Sequence, residues 1–122
     1  MIKKERREFP RIYALNLINY VCLDTRGKLI NQGMGRTLNI SEAGILIETR
    51  SVIINDGTVL ITIGLKNEML EIECKIIYST LNQGQKMFES GLQFINISIE
   101  DLNIIKKYQQ IFEHDNKNLN GI

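Results

Sequence analysis

Three arginines stand close together near the start of the chain. Arg7 and Arg11 are separated by three residues, and Arg6 comes directly before them. A guanidinium is planar, permanently charged and has five N–H donors, so it can bind a phosphate or the O6/N7 edge of guanine bidentately. Pro10 fixes its own φ and disfavours helix at Phe9, which predicts an extended segment. Arginine pairs of this kind are also common in solvated basic tails.

A second motif, Asn39-Ile40-Ser41-Glu42-Ala43-Gly44, lies between two strand-like runs. The short side chains of Asn39 and Ser41 can hydrogen-bond either to nearby backbone or to the edge of a ligand. Gly44 permits a positive φ or the close approach of another group to the backbone. Alone, this motif also fits an ordinary polar turn.

In this order and between strands, the two motifs resemble the PilZ domain family, bacterial receptors for the second messenger cyclic di-GMP. The binding pattern of that family is R-x3-R followed by D/N-x-S-x2-G, and every fixed position is filled here. The resemblance continues in Gly35–Gly44 and in Ser90–Asn96, and it extends from about Lys4 to about Phe112. It implies a cytoplasmic protein that binds this dinucleotide.

The resemblance also implies which residues bind the ligand. The residues that it assigns to cyclic di-GMP are Arg6, Arg7, Arg11, Asn39, Ser41 and Gly44. Arg7 and Arg11 would hold the phosphates and the guanine edges, and the second motif would form a guanine-facing rim on the barrel surface. Arg6 stands just before the first motif arginine. In this family the residue at that position influences whether one ligand molecule or an intercalated pair binds, and an arginine there implies a pair.

Composition limits the other partners. The 122 residues suit one domain, and a net charge of +1 argues against broad binding of DNA, RNA or membrane surfaces. Residues 1–11 contain five basic and two acidic side chains, so the positive charge is local and suits an anion site. No apolar run is long enough to cross a bilayer, so we expect no membrane insertion.

Catalytic and metal-binding patterns are missing from the sequence. Cys22 and Cys74 lie far apart in predicted strands, and His114 is the single histidine, which leaves too few ligands for a structural zinc site. No motif of a hydrolase, metalloprotease or P-loop protein occurs. We therefore expect two free buried thiols, no metal, no cofactor besides the ligand, and no enzymatic activity.

Six strand-like runs separated by turn residues precede one amphipathic stretch. The predicted strands are 12–23, 34–40, 44–49, 58–65, 69–80 and 87–97, with turns at 24–28, 31–33, 55–57 and 82–84. This order predicts a mainly β fold, a closed six-stranded antiparallel barrel of the split-barrel kind with a C-terminal α-helix. Several strands have apolar residues of one parity, which we expect to face the core, among them Leu15, Leu17, Val21 and Leu23 in the first and Leu70, Ile72, Cys74, Ile76 and Tyr78 in the fifth.

The helix is predicted to begin after Ser98, which can cap it, and to end near Phe112. Residues 1–11 are then a flexible basic segment, 12–112 the barrel with its helix, and 113–122 a polar tail. The expected mechanism is that residues 3–11 wrap the dinucleotide against the 39–44 turn, which offers a new surface to a protein partner that the sequence does not identify.

Two other functions fit parts of the same sequence. One is a PilZ-like interaction module that binds no nucleotide and keeps the motif residues unused. The other is a general oligonucleotide-binding barrel, which would require exposed aromatic residues on a strand face and wider positive charge. The near-neutral body of the chain disfavours the second function.

Overall fold

The computed structural model of the chain describes residues 17–53, 56–65 and 67–120, with side chains up to residue 109. Within these ranges it contains six strands and one helix. They are β1 (Leu17–Leu23), β2 (Leu29–Ile40), β3 (Gly44–Thr49), β4 (Thr58–Leu65), β5 (Glu68–Asn82), β6 (Met87–Asn96) and α1 (Ile99–Asn120). The predicted basic segment 1–11, with its three arginines, lies outside the described residues.

The strands close into a barrel in the order β1-β2-β3-β6-β5-β4, and every neighbouring pair is antiparallel. This confirms the predicted fold class, a closed six-stranded antiparallel barrel with one C-terminal helix. Each strand has a neighbour on both sides, but the two longest strands extend past one neighbour: residues 29–34 of β2 have a strand partner only in β1, and residues 75–82 of β5 only in β6.

The core fills the inside of the barrel, and β4 shows most clearly how the sequence builds it. Its four alternate apolar residues, Val59, Ile61, Ile63 and Leu65, have no exposed surface at all. Cys22 and Cys74 are free and buried, as predicted. Burial, with a smaller contribution from the charge of Glu73, raises the pKa of Cys74 to about 12, so this thiol is a packing group.

The predicted inward face of the first strand is wrong for Leu17, Val21 and Leu23, and Leu15 lies outside the described residues. Ile18, Tyr20 and Cys22 point into the core, whereas Leu17 is 64% exposed. The register explains the choice, because Ile18 pairs with the buried Ile63 of β4, and directly opposed residues lie on the same face of a sheet. The odd-numbered positions of β1 are mostly apolar but include the polar Asn19, so the strand's own sequence does not settle which side faces the core. Pairing with β4, whose apolar residues all lie on one face, decides it.

The fifth strand follows its predicted face only as far as Ile76. Between Ile76 and Tyr78 the register with β6 shifts by one residue, so that Ile77 is the extra residue of a β-bulge. Ile72 and Cys74 are buried as expected, but Tyr78 lies on the outer wall and is 42% exposed. A second bulge, at Leu38, shifts the register between β2 and β3.

The second strand is longer than predicted. Residues 31–33 were predicted to form a turn, but Asn31, Gln32 and Gly33 pair with β1 instead. The reversal is made entirely by the predicted turn at 24–28. There Asp24 Oδ1 accepts hydrogen bonds from the backbone N–H groups of Arg26 and Lys28, at 2.9 and 2.8 Å. One strong Asx turn is sufficient, so the weaker turn residues continue the ladder.

Helix α1 begins as the sequence predicts. The Ser98 hydroxyl accepts a hydrogen bond from the backbone N–H of Asp101 at 3.1 Å. Ile105 and Tyr108 are buried in the core and attach the helix to the barrel. The helix continues to Asn120 instead of ending near Phe112. Within the described part of the chain, no helix is long and apolar enough to cross a membrane.

Two buried threonines give a matched test of the core. Thr37 Oγ1 has no hydrogen-bond partner among the described residues, whereas Thr49 Oγ1 donates to the Ser51 carbonyl at 2.7 Å. We expect Thr37→Val to raise the free energy of unfolding by about 1 kcal/mol and Thr49→Val to lower it by a similar amount. Urea denaturation measures both. A loss of stability in Thr37→Val would contradict the first expectation.

Candidate functional site

A groove of about 270 Å³ lies on the outer wall of the barrel, across β2, β3, β6 and β5. Its lining consists mostly of backbone and small or apolar side chains. The residues that form it are Asn39, Ile40, Ser41, Gly44, Ile45, Leu46, Ile77, Tyr78, Gly91 and Leu92. None of them is charged, so the described part of this groove is a neutral surface.

One row of paired residues crosses the groove from side to side. Asn39 pairs with Leu46, Leu46 with Gly91, and Gly91 with Tyr78. Three inter-strand steps of about 4.8 Å each separate the two ends, so the path along the curved barrel wall from Asn39 to Tyr78 is roughly 14 Å. Polar and aromatic groups therefore stand at the two ends of this row.

The two bulges decide that these ends point outward. Thr37 is buried on the inner face, and strict alternation from it would turn Asn39 inward as well. The extra residue at Leu38 restores Asn39 to the outer face, and the extra residue at Ile77 does the same for Tyr78. Bulges commonly re-aim side chains beside functional sites.

Ser41 and Gly44 shape the turn between β2 and β3. Ser41 Oγ accepts hydrogen bonds from the backbone N–H groups of Ala43 and Gly44, at 3.2 and 3.3 Å. A Cβ on Gly44 would stand 2.2 Å from the carbonyl oxygen of Leu92, so glycine is required here for close approach to β6. Its φ is not positive, which settles the choice that the sequence left open.

Tyr78 lies against the barrel wall over Gly91. A Cβ placed on Gly91 would be only 2.4 Å from Cε1 of the Tyr78 ring. The ring therefore occupies the space that any larger residue would fill at position 91. The ring covers Gly91, and it also lines the groove while remaining 42% exposed.

Charged groups flank the groove without lining it. Tyr78 Oη donates to Glu89 Oε2 at 3.5 Å, and Arg36 Nε donates to Glu48 Oε1 at 2.8 Å. Burial against the wall, then the charge of Glu89 and the hydrogen bond to it, raises the pKa of Tyr78, so the phenol remains protonated at neutral pH. At the 39–44 turn, Glu42 lies 3.8 Å from Lys106 of α1.

The structure places Asn39, Ser41 and Gly44 in the lining of one groove. The arginines of the first motif cannot be placed relative to it, because they lie outside the described residues. Sequence reasoning missed Tyr78, which it placed in the core. A signal was available, since the run Ile76-Ile77-Tyr78 breaks the alternation of polar and apolar residues and so indicates a bulge.

Metal chemistry finds no support in the described part of the chain, where no group of three or more His, Cys, Asp or Glu side chains could hold an ion. The polar groups at the groove are an amide, a hydroxyl and a phenol. These groups can hydrogen-bond to a planar ligand and stack on it.

Comparison with known proteins places this barrel in a family. The PilZ domain family matches residues 5–109, and the chain therefore belongs to it. PilZ domains are receptors for cyclic di-GMP, and no catalytic family is indicated. No curated protein is significantly similar to the chain.

Two solved structures of MrkH from K. pneumonia have the same fold. The apo structure has a TM-score of 0.57 and the P2(1) crystal structure one of 0.58, each at 15% identity and over 94% of this chain. The chain spans 55% and 53% of the length of these two structures, so the likeness covers about half of each. At this identity it shows the fold alone.

A substitution at the groove floor tests the position of the Tyr78 ring. In Gly91→Ala the new methyl group would collide with the ring, and we expect Tyr78 to swing away and its contact with Glu89 to be lost. Gly84→Ala is the control, because a Cβ there meets its nearest atom at an ordinary 3.6 Å. NMR nuclear Overhauser contacts between the Tyr78 ring and Glu89 should disappear only in Gly91→Ala. Their persistence in that variant would show that the ring does not depend on Gly91.

Proposed function

We propose that this chain is a receptor that binds cyclic di-GMP in the groove between Asn39 and Tyr78 and signals to a protein partner. It carries out no reaction and uses no metal or further cofactor. The observation that carries the proposal is that the second motif, chosen from the sequence alone, lines the same groove as an outward-facing aromatic ring.

The dimensions of the groove suit a dinucleotide. Measured along the curved wall, the row from Asn39 to Tyr78 is roughly 14 Å long, about three inter-strand spacings, which is longer than one purine base. The exposed ring of Tyr78 offers a stacking surface, and base–aromatic stacking contributes about 1–3 kcal/mol. The Asn39 amide, which both donates and accepts, can bind the edge of a base at the opposite end.

The neutral lining explains why the arginines are needed. Cyclic di-GMP carries two phosphodiester charges, and none of the described lining residues offers a cation to them. Arg7 and Arg11 match the R-x3-R positions of the family and supply two bidentate donors. Each would make charge-assisted hydrogen bonds to phosphate or to the O6/N7 edge of guanine.

Arg6 sets the proposed stoichiometry. It occupies the position before the first motif arginine, and a third guanidinium can stack on a base or neutralise further phosphate. Two intercalated ligand molecules carry four negative charges, so they need more than the two motif arginines. We therefore propose that an intercalated pair binds.

The signal would pass through the 39–44 turn. A ligand held between the arginine segment and this turn joins residues 3–11 to the barrel and orders them. The same turn contacts α1 through Glu42 and Lys106 and bonds to β6 through the Ala43 carbonyl, which accepts from the Phe94 N–H at 2.9 Å. The surface formed by the ordered segment and the turn is what the partner would recognise.

Arginine substitutions test the proposal directly. We expect Arg7→Ala and Arg11→Ala each to weaken cyclic di-GMP binding by about 1.5–3 kcal/mol, roughly tenfold to more than a hundredfold in Kd, because charge-assisted hydrogen bonds are lost. Arg26→Ala removes an equal charge from the exposed turn at 24–28 and should leave Kd unchanged. Isothermal titration calorimetry gives Kd and stoichiometry together.

The same titration separates the competing functions. GTP and single-stranded DNA serve as control ligands, and steeply salt-dependent binding of the DNA would favour an oligonucleotide-binding barrel. A stoichiometry near two supports the paired ligand, and one near unity removes the role given to Arg6. An undisturbed affinity in Arg11→Ala would exclude that arginine from the site, and a complete absence of binding by the unmodified protein would favour the interaction module.

A further inference from the structure

A second row of outward-facing residues runs beside the groove floor. Arg36 pairs with Glu48, and Glu48 pairs with Glu89, across β2, β3 and β6. The row lies two residues along the strands from the Leu46–Gly91 pair, a distance of about 7 Å. Two glutamates therefore occupy directly opposed positions on neighbouring strands, close to a groove for which we propose a dianionic ligand.

Like charges that oppose each other in a sheet are destabilising, so the arrangement needs a reason. The Arg36–Glu48 ion pair, at 2.8 Å, compensates one of the two charges, and Glu48 is 7% exposed. In the described part of the chain the ion pairs are Arg36–Glu48 and Lys106–Glu42, and neither includes Glu89. The contact of Glu89 is the hydroxyl of Tyr78, at a long 3.5 Å.

The chemistry of a carboxylate restricts what it can recognise in the ligand. An ionised carboxylate only accepts hydrogen bonds, and it repels a phosphate. Guanine offers donors at N1–H and at the exocyclic N2 amine, whereas adenine lacks that amine. A base stacked on the Tyr78 ring would present its edge near the hydroxyl, where the Glu89 carboxylate already lies.

We propose that Glu89 is a specificity-determining residue that accepts a hydrogen bond from the N2 amine of the guanine stacked on Tyr78. This rests on the proposed function, since it assigns one contact beside the same groove. The arginine motif binds O6, N7 and phosphate, groups that several purine dinucleotides share in part. Glu89 reads the opposite edge of the base and distinguishes guanine from bases without the N2 amine.

The test compares two ligands that differ in that amine alone. Cyclic di-IMP keeps the phosphates, riboses, O6 and N7 of cyclic di-GMP but lacks N2. Calorimetry should give the unmodified protein about a tenfold preference for cyclic di-GMP, and in Glu89→Ala the two Kd values should become equal within about twofold. Glu71→Ala, an exposed glutamate elsewhere on β5, should keep the full preference.

Two further measurements separate direct recognition from indirect effects. Tyr78→Phe removes the hydroxyl and keeps the ring, so the preference for cyclic di-GMP should survive if Glu89 contacts the base itself. Thermal unfolding of Glu89→Ala should give a Tm no lower than that of the unmodified protein, because an opposed like charge is removed.

Several outcomes would overturn the assignment. In one, Glu89→Ala keeps the preference for cyclic di-GMP. In another, Glu89→Ala weakens the binding of both ligands equally, which would indicate that the carboxylate contacts the ribose. A collapse of the preference in Tyr78→Phe would make Glu89 a positioning residue that acts through the phenol. An unmodified protein that binds neither ligand would refute the proposed function as well, whereas strong binding with no preference refutes the role of Glu89 alone.

Discussion

Strict alternation along the strands of a closed barrel is the constraint on which the rest of the structure depends. Each residue of such a wall faces either the core or the outside, and a strand that is paired on both sides cannot slip without disturbing both neighbours. A polar or aromatic group can be moved to the outer face only by inserting a residue. The bulges at Leu38 and Ile77 do this on β2 and β5, the two outer strands of the groove.

Close approach of backbone and ring completes the groove. Gly44 lets the end of β3 pass within contact of the Leu92 carbonyl, and Gly91 leaves room for the Tyr78 ring against β6. Both glycines therefore act through the absence of a side chain and not through an unusual φ. The hydroxyl of Ser41 holds the turn by accepting backbone N–H groups, and the same hydroxyl lies at the groove.

In the proposed receptor, the described barrel and the arginine motif divide the binding of the dinucleotide between them. The lining of the groove is uncharged and would supply shape, a stacking surface and hydrogen bonds to a base edge, while the cations are those of Arg6 and of the R-x3-R motif at Arg7 and Arg11. Binding that requires both parts depends on their coming together, which is a suitable basis for a ligand-controlled change of surface. Membership of the PilZ family agrees with this division.

The sequence by itself determined the barrel, the helix start at Ser98 and the grouping of Asn39, Ser41 and Gly44, because these depend on local pattern and turn chemistry. It misjudged the buried face of β1, the length of β2, the end of α1 and the side on which Tyr78 lies. Pairing with β4 settled the first of these, and a bulge settled the last. The β1–β4 register and the β5 bulge are both set by how neighbouring strands pair, and the periodicity of a single strand does not specify that pairing.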